Sequence, residues 1–506
     1  MKLSPFIVIY SDNSYSILFK LGTLISMTFN RFILWVLMIS IQGIVYAAPI
    51  SLPDIGNSAD RNMSVSKEQQ IGDVVARQLK GQAPLLKDIL VTNYLRTLGF
   101  KLIAQNPNAM NRKFDFFIIN SPVINAFAMP GGYIAVQTGL ILKADSEDQL
   151  AGVLAHEIAH VTQRHLYRAF EAANRLSIPT AAATLAALLI GTQSPAAAQA
   201  ALIAIQAGRI QFQIDFTRDN EKEADRVGMQ TLAKSSFNPR SMPTFFEHLQ
   251  QSSRYYGQNI PEFLRTHPVT ASRISDARGR SNKYPYKQVA DSQGYLLTKA
   301  KLRVLTTENI DDALSYFKAR EHQGTINQRA IAQYGIALAQ LEKQNFIEAE
   351  KIFLALIKHY PEQPQYAYAL ALTALKANSY TKALSLFKQA LLHFPNNSSI
   401  KLEYIATLLK AKKPLHAKAV LNTLDLNLKK QPVYFELLAQ TYADLNQEAE
   451  SHRYLAEYYY TVGHTPFAIL QIKLAKKSTD INFYLQAILN DRLAFFESEE
   501  NERKKN

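Results

Sequence analysis

Alanine recurs at Ala349, Ala383 and Ala417, each 34 residues from the last. Phe353 with Phe387, and Pro361 with Pro395, keep the same step. In that register IEAEKIFLALIKHYPEQP and TKALSLFKQALLHFPNNS share a small residue, an aromatic, and then an aromatic–Pro pair. A fixed period of this length describes a helix–turn–helix unit whose apolar face only its neighbours can cover, so the region must stack as an all-α solenoid. The proline falls where it ends the second helix of each unit, because it has no N–H to continue one.

This punctuation marks tetratricopeptide repeats, and Ala313 with Phe317 and the stretch around Ala449 are degenerate flanking copies. The array is expected over 296–490, followed by a charged tail at 491–506. Such an array forms a concave surface suited to holding protein segments. The chain has 506 residues, 47% hydrophobic and 19% charged, which is enough for at least one more packed domain. That domain is expected over 60–285.

Residues 60–110 carry helical apolar spacing in EQQIGDVVARQLKGQ and LVTNYLRTLGFKLIAQ. From Lys113 the pattern changes to FDFFIINSPVINAFAMPGGYIAVQTGLIL, aromatic and β-branched around a Pro-Gly-Gly break, which predicts two or three short strands. Ser146 starts a helix, with Gln149 completing a capping box. Leu150, Val153, Leu154, Ile158 and Val161 form its apolar stripe.

That helix carries LAHEIAHVTQRH, residues 154–165. Residues four apart on a helix share a face, so His156 and His160 present two imidazoles to one ion. Glu157 lies about 100° round the axis, within reach of a water on that ion. His-Glu-x-x-His on a capped amphipathic helix therefore reads as a zinc site. Two ligands are too few, since catalytic zinc usually takes three from the protein and keeps a water. The extended form with a third histidine fails, because Gln163 and Leu166 stand at its Gly and last His positions. His165 comes one residue early and is expected to pack or hydrogen-bond locally. The third ligand is sought in FTRDNEKEADRVGMQ, residues 216–230. There Glu221 and Asp225 share a face, so one can ligate while the other steadies its neighbours. Glu223 is the next candidate.

The chain has no cysteine, so any metal must be held by imidazole and carboxylate. Arg31, the apolar run FILWVLMISIQGIVYAA and the small residues before Pro49 describe an export signal over residues 1–48, cut after Ala47 or Ala48, the alternative being an uncleaved anchor, since the run approaches the ~20 residues of a membrane span. Met27 is an alternative start. Residues 176–208, two Ala-rich apolar segments around a Gly-Thr-Gln-Ser-Pro break, predict a helical hairpin packed on its own domain or serving as a lid or membrane-touching element. The net charge of +14 is spread along the chain and favours acidic partners or anionic membrane surfaces. No nucleic-acid motif accompanies it, so nucleic acid is not an expected partner.

HEIAHVTQRH followed some sixty residues later by ExxxD resembles the gluzincin metalloproteases that include HtpX and the CAAX prenyl proteases. NAFAMPGGYIAVQTGLI and THPVTASR at 266–273 resemble that family's strand region and downstream His-Pro segment. With the export signal and the repeats, the whole resembles the BepA-type periplasmic proteases. The resemblance implies a mainly α protein: an α+β zincin domain with a small sheet, then an all-α tetratricopeptide solenoid. It implies one zinc ion on His156, His160 and Glu221, with Glu157 as the base and Asp225 as a supporting or proton-donating residue. The strand Asn125, Ala126, Phe127 and Ala128 would pair with an extended substrate. His267, with Arg273 six residues on, would either close the fourth zinc position and keep the enzyme latent or stabilise the oxyanion. The plainer alternative is that His267 opens a helix beside Pro268 and never nears the metal. Implied substrates are unfolded or misassembled outer-membrane proteins in the periplasm, and the implied partner is the outer-membrane β-barrel assembly machinery, with a peripheral membrane contact also compatible. The rival reading is a chaperone or assembly scaffold carrying a latent protease. Cysteine's absence departs from relatives whose two domains are tied by a disulfide, so the coupling here must be non-covalent.

Overall fold

In a computed structural model of the chain, the structure describes residues 64–172, 218–255 and 261–505. They belong to one compact unit, Asn62–Asn506. The expected export signal at 1–48 and the apolar segment at 176–208 lie outside the described residues.

Helices α1 (Val65–Gln82) and α2 (Ile89–Ile103) start where Ser64 and Asp88 accept from the amides of Lys67 and Val91. Three strands follow, β1 (Asp115–Ile119), β2 (Ala126–Met129) and β3 (Tyr133–Gln137). Their order is β1-β3-β2, with β1 parallel and β2 antiparallel to β3, so β2 is an edge. The tight β2–β3 connection needs glycine: Gly132 sits at φ +80, and a Cβ there would lie 1.9 Å from the Lys113 carbonyl oxygen.

After α3 (Thr138–Lys143) comes α4 (Glu147–Thr162), the helix that bears the His-Glu-x-x-His stretch. Ser146 caps it by accepting from Gln149 N, but the Gln149 side chain turns to the amide of Asp145, so only half of the expected capping box forms. The predicted apolar stripe is only part of the buried surface, for every residue of α4 from Asp148 to Thr162 is buried. The reason is packing on all sides, by β2, α2, α6 (Arg218–Lys234) and α7 (Ser241–Tyr255). Between α4 and α6 lies α5 (His165–Ala172). Gly228 lets α6 come close, since a Cβ there would stand 3.1 Å from the backbone of Ala155 and His156. Two short helices, α8 (Glu262–Thr266) and α9 (Ala271–Ser281), complete the wall.

Helix α10 (Gln293–Thr306) joins the two halves. Its Tyr295 and Leu302 are buried in the core of the N-terminal part, while Leu297, Ala300 and Val304 belong to the core of the first repeats. The expected boundaries at 285 and 296 therefore miss the physical one, because α10 is shared. The array continues as α11 (Ile310–Lys318), the pairs α12 (Ile326–Glu342) and α13 (Phe346–His359), α14 (Pro364–Lys376) and α15 (Tyr380–His393), α16 (Ser398–Lys410) and α17 (Pro414–Asn422), α18 (Pro432–Asp444) and α19 (Glu448–Thr461), then α20 (Thr465–Ala475) and α21 (Phe483–Lys505). Ala349, Phe353, Ala383, Phe387, Ala417 and Ala449 are all fully buried. Left-handed residues recur with the same step at Gln344, Asn378, Lys412 and Asn446. Each turns the chain between the helices of a pair, and the next amide bonds five residues back, as in Asn345 N to Gln340 O at 2.9 Å.

Of the expected charged tail at 491–506, the described residues 491–505 continue α21, and Phe496 is fully buried against Tyr460. The array returns to the N-terminal part along its length. Lys301 pairs with Asp88 at 2.7 Å, Asn93 donates to Ser399 at 2.8 Å, and Arg77 of α1 meets Glu499 of α21 under the Tyr460 ring. These contacts supply the non-covalent coupling that a chain without cysteine requires.

Candidate active site

Four elements converge on one buried point. Helix α4 brings His156, Glu157 and His160, and α6 brings Glu221 and Asp225. His267 follows α8, and Arg273 lies in the first turn of α9. All are at most 2% exposed. The Nε2 atoms of His156 and His160 are 3.0 Å apart, and His267 Nδ1 is 3.4 Å from the first. Glu221 closes the set, its Oε1 lying 3.4 Å from His160 Nε2 and 3.2 Å from His267 Nδ1. Ligand atoms of His156, His160, Glu221 and His267 all fall within 4.8 Å of one another. The alternative in which His267 never nears the metal site is thus overturned: His267 caps the end of α8, and its ring is turned inward against Phe263 at 4.8 Å.

The donor set fits zinc. The outer nitrogen of each α4 imidazole is already engaged, Nδ1 of His156 lying 3.0 Å from Asp225 Oδ1 and Nδ1 of His160 2.8 Å from His165 Nδ1. Both Nε2 atoms are thereby turned inward beside a carboxylate, the nitrogen-and-oxygen set a catalytic zinc takes. Burial works against a proton on His156, yet Asp225 and Glu221 raise its pKa to about 10. Contacts that favour a proton there equally favour a metal cation. Burial alone would raise the Glu221 carboxyl, but His267, His156 and His160 outweigh it and hold it well below the usual range. Asp225 is likewise held low against burial, by Arg273 and His156.

Glu157 differs. Burial pushes its pKa up. Both its oxygens are buried, with His267 Nε2 at 3.4 Å and the backbone of Ala128 working against that rise. A buried carboxylate whose pKa is raised beside an imidazole cluster is costly to keep and marks a candidate functional group. Arg273 donates to Asp225 at 2.9 and 2.8 Å, pairs with Glu221 at 2.7 Å and donates to the Pro268 carbonyl at 3.0 Å. Asn125 precedes β2, and Ala126, Phe127 and Ala128 form it, all buried. The α8 segment lies alongside, with Phe263 N donating to the Ile124 carbonyl at 3.0 Å.

Sequence reasoning missed the walls and one support. Phe246 meets the His156 ring edge-on and Phe263 lies tilted against it, which neither position advertised. His165 was expected to pack or hydrogen-bond locally, and it does, five residues back; what spacing did not show is that its partner is His160 of the site, at 2.8 Å. Glu223, the reserve third ligand, instead meets His165 and Arg168.

A helix with paired histidines and an intervening glutamate, completed by a carboxylate from a second helix, defines a zinc metallopeptidase. Residues 90–281 match Peptidase family M48, and residues 334–399 and 374–441 match tetratricopeptide repeat families. The chain is 36% identical over 443 residues to the beta-barrel assembly-enhancing protease of Escherichia coli (strain K12), covering 88% of this chain and 90% of that one. It is 40% identical over 322 residues to the protein of that name from Yersinia pestis, covering 63% and 65%. A mitochondrial metalloendopeptidase OMA1 from Schizosaccharomyces pombe is 30% identical over 162 residues, covering 32% and 45%. The chain belongs to peptidase family M48 and is a zinc metalloendopeptidase with C-terminal tetratricopeptide repeats, in the same family as the relatives named beta-barrel assembly-enhancing protease.

Proposed function

We propose that this chain is an exported, periplasmic zinc endopeptidase that serves outer-membrane β-barrel assembly by degrading misfolded or stalled proteins, which its repeats help to hold. The names of its relatives support the assembly role, and the observation that carries the chemistry is the buried Glu157 beside the four-ligand cluster, its Oε1 3.4 Å from His267 Nε2. Among the described residues no helix is long and apolar enough to cross a membrane.

His156, His160 and Glu221 would hold the metal, and zinc there would supply Lewis acidity. Glu157 is the general base for the attacking water and returns the proton to the leaving amine; its raised pKa suits both duties. Asp225 fixes the ring of His156, and Arg273, directed at Asp225, Glu221 and the Pro268 carbonyl, braces both carboxylates. The edge strand at Ala126–Met129 pairs with an extended substrate. Glu157→Gln should keep full zinc occupancy and abolish hydrolysis of an unfolded protein, while His156→Ala, His160→Ala and Glu221→Ala each lose zinc. Full zinc occupancy in Glu221→Ala would defeat this choice of third ligand.

The second reading, an assembly scaffold with a latent protease, is favoured by His267 in the ligand set and by α8 against the chain entering β2. If His267 occupies the fourth position at rest, His267→Ala raises proteolysis. If it serves the oxyanion, the same change lowers kcat by roughly 10²-fold with zinc retained.

A further inference from the structure

Arg164 stands at φ +54, a left-handed conformation that costs a non-glycine residue roughly 1 kcal/mol. It is 4% exposed, and its Nε donates to Glu68 of α1 at 2.9 Å, so a buried ion pair fixes the strained turn. In an unbroken helix a residue five positions beyond His160 would point about 140° away from it, at 3.6 residues per turn. The break at Arg164 ends α4 at Thr162 and restarts the helix at His165, which brings the His165 ring back against His160. The ring centroids are 4.7 Å apart and the two Nδ1 atoms 2.8 Å.

Two imidazole nitrogens at that distance share one proton. His160 turns Nε2 to the ligand cluster, so its proton resides on Nδ1 and His165 Nδ1 accepts it. The remaining His165 proton is then on Nε2, which lies 3.2 Å from Glu223 Oε2, and Arg168 donates to that same oxygen at 2.7 Å. The order runs from His160 to His165 to Glu223 to Arg168, and each link fixes the tautomer of the one before. His156 has a direct carboxylate in the same place, Asp225 at 3.0 Å. The two ligands on α4 are therefore supported differently.

We propose that His165 is a positioning residue for the metal site, holding His160 in the tautomer and ring orientation that ligates, with Glu223 and Arg168 anchoring it from α6 and α5. The inference rests on the zinc reading above. Outer supports of this kind are typically worth 10–100-fold in metal affinity.

The test is zinc affinity by competition with a chromophoric chelator, together with the visible spectrum of the cobalt(II) form, on the full chain. His165→Leu should weaken zinc by roughly 10–100-fold and alter the cobalt spectrum. His165→Asn, whose side-chain oxygen replaces the Nδ1 acceptor, should recover most of both. Wild-type affinity and spectrum in His165→Leu would overturn the proposal, as would equal losses in the Leu and Asn variants, which would mean packing alone. Should His165→Leu not fold, Glu223→Gln on the partly exposed rim reads the same relay and should weaken zinc by a smaller factor; no change there would overturn it too. A wild-type chain that binds no zinc would defeat the parent reading instead, so the two failures are distinguishable.

Discussion

Arg273→Met removes the cation on which two of the site's carboxylates depend. Arg273 is 2% exposed, grips Asp225 through Nε and Nη2 at 2.9 and 2.8 Å, and pairs with Glu221 at 2.7 Å. The guanidinium carbon also lies 5.1 Å from the centroid of the Phe246 ring, so methionine keeps an unbranched stem but removes that cation–π contact together with the charge. It leaves Glu221 and Asp225, one helical turn apart, buried without their shared counter-ion. Breaking a buried ion pair from one side costs about 3–5 kcal/mol. At about 2–4 °C per kcal/mol for a body of 150–250 residues, the metal-free catalytic part should melt ~6–20 °C lower. With zinc bound the deficit should shrink, because the metal gives Glu221 another positive neighbour. Arg273→Lys restores the charge without the planar fork and should fall in between. The assay is thermal melting by near-ultraviolet circular dichroism, with chelator and with zinc. A methionine variant that melts within about 2 °C of wild type in chelator, under 1 kcal/mol on this scale, would refute the brace.

Three further outcomes follow from other parts of the fold. Asp115 feels burial that would raise its pKa, but Lys80 and Arg96 outweigh it and hold it low, so its contribution is present above the unfolded value near ~3.9 and fades as pH falls through the lower folded one. Asp115→Asn should therefore cost about 1.5–3 kcal/mol at neutral pH and close the gap with wild type in strong acid, read as urea midpoints against pH; a gap constant down to pH ~2 would contradict this. Lys412→Gly at φ +57 should stabilise the array by about 0.5–1 kcal/mol, since the exposed Lys412–Asp444 pair it removes is worth little; a lower urea midpoint would contradict it. Leu302→Ala should cost ~2–5 kcal/mol and, because α10 serves two cores, speed hydrogen exchange in α12 as well as α4; unchanged exchange in α12 would sink the shared spine.

The repeats were legible because their period is a packing requirement: the same small and aromatic positions meet the same neighbours every 34 residues, as full burial of Ala349, Ala383 and Ala417 shows. Their limits were not. The Tyr295 and Leu302 face of α10 looks like any other apolar spacing, and only the catalytic core it enters shows that the helix has two partners. The charges at 491–506 suggested a tail because they outnumber Phe495 and Phe496, yet one fully buried aromatic beside Tyr460 is enough to seat the helix end.

Within the site, the helical spacing of His156 and His160 and of Glu221 and Asp225 carried over directly, since one helix turn fixes which side chains share a face. What spacing cannot carry is a break in the helix. Counting from His160, a regular helix sends His165 elsewhere, and the extended-motif test rightly rejects it as a ligand. Its position depends on Arg164 adopting a left-handed turn that arginine disfavours and that Glu68, 96 residues earlier, holds in place. No local rule foretells that pairing. The same is true of Arg273 and its two carboxylates, 48 residues back in the case of Asp225. The local chemistry of this metal site is thus written in short motifs, while the orientation of each ligand is set by charges that only the tertiary fold brings together.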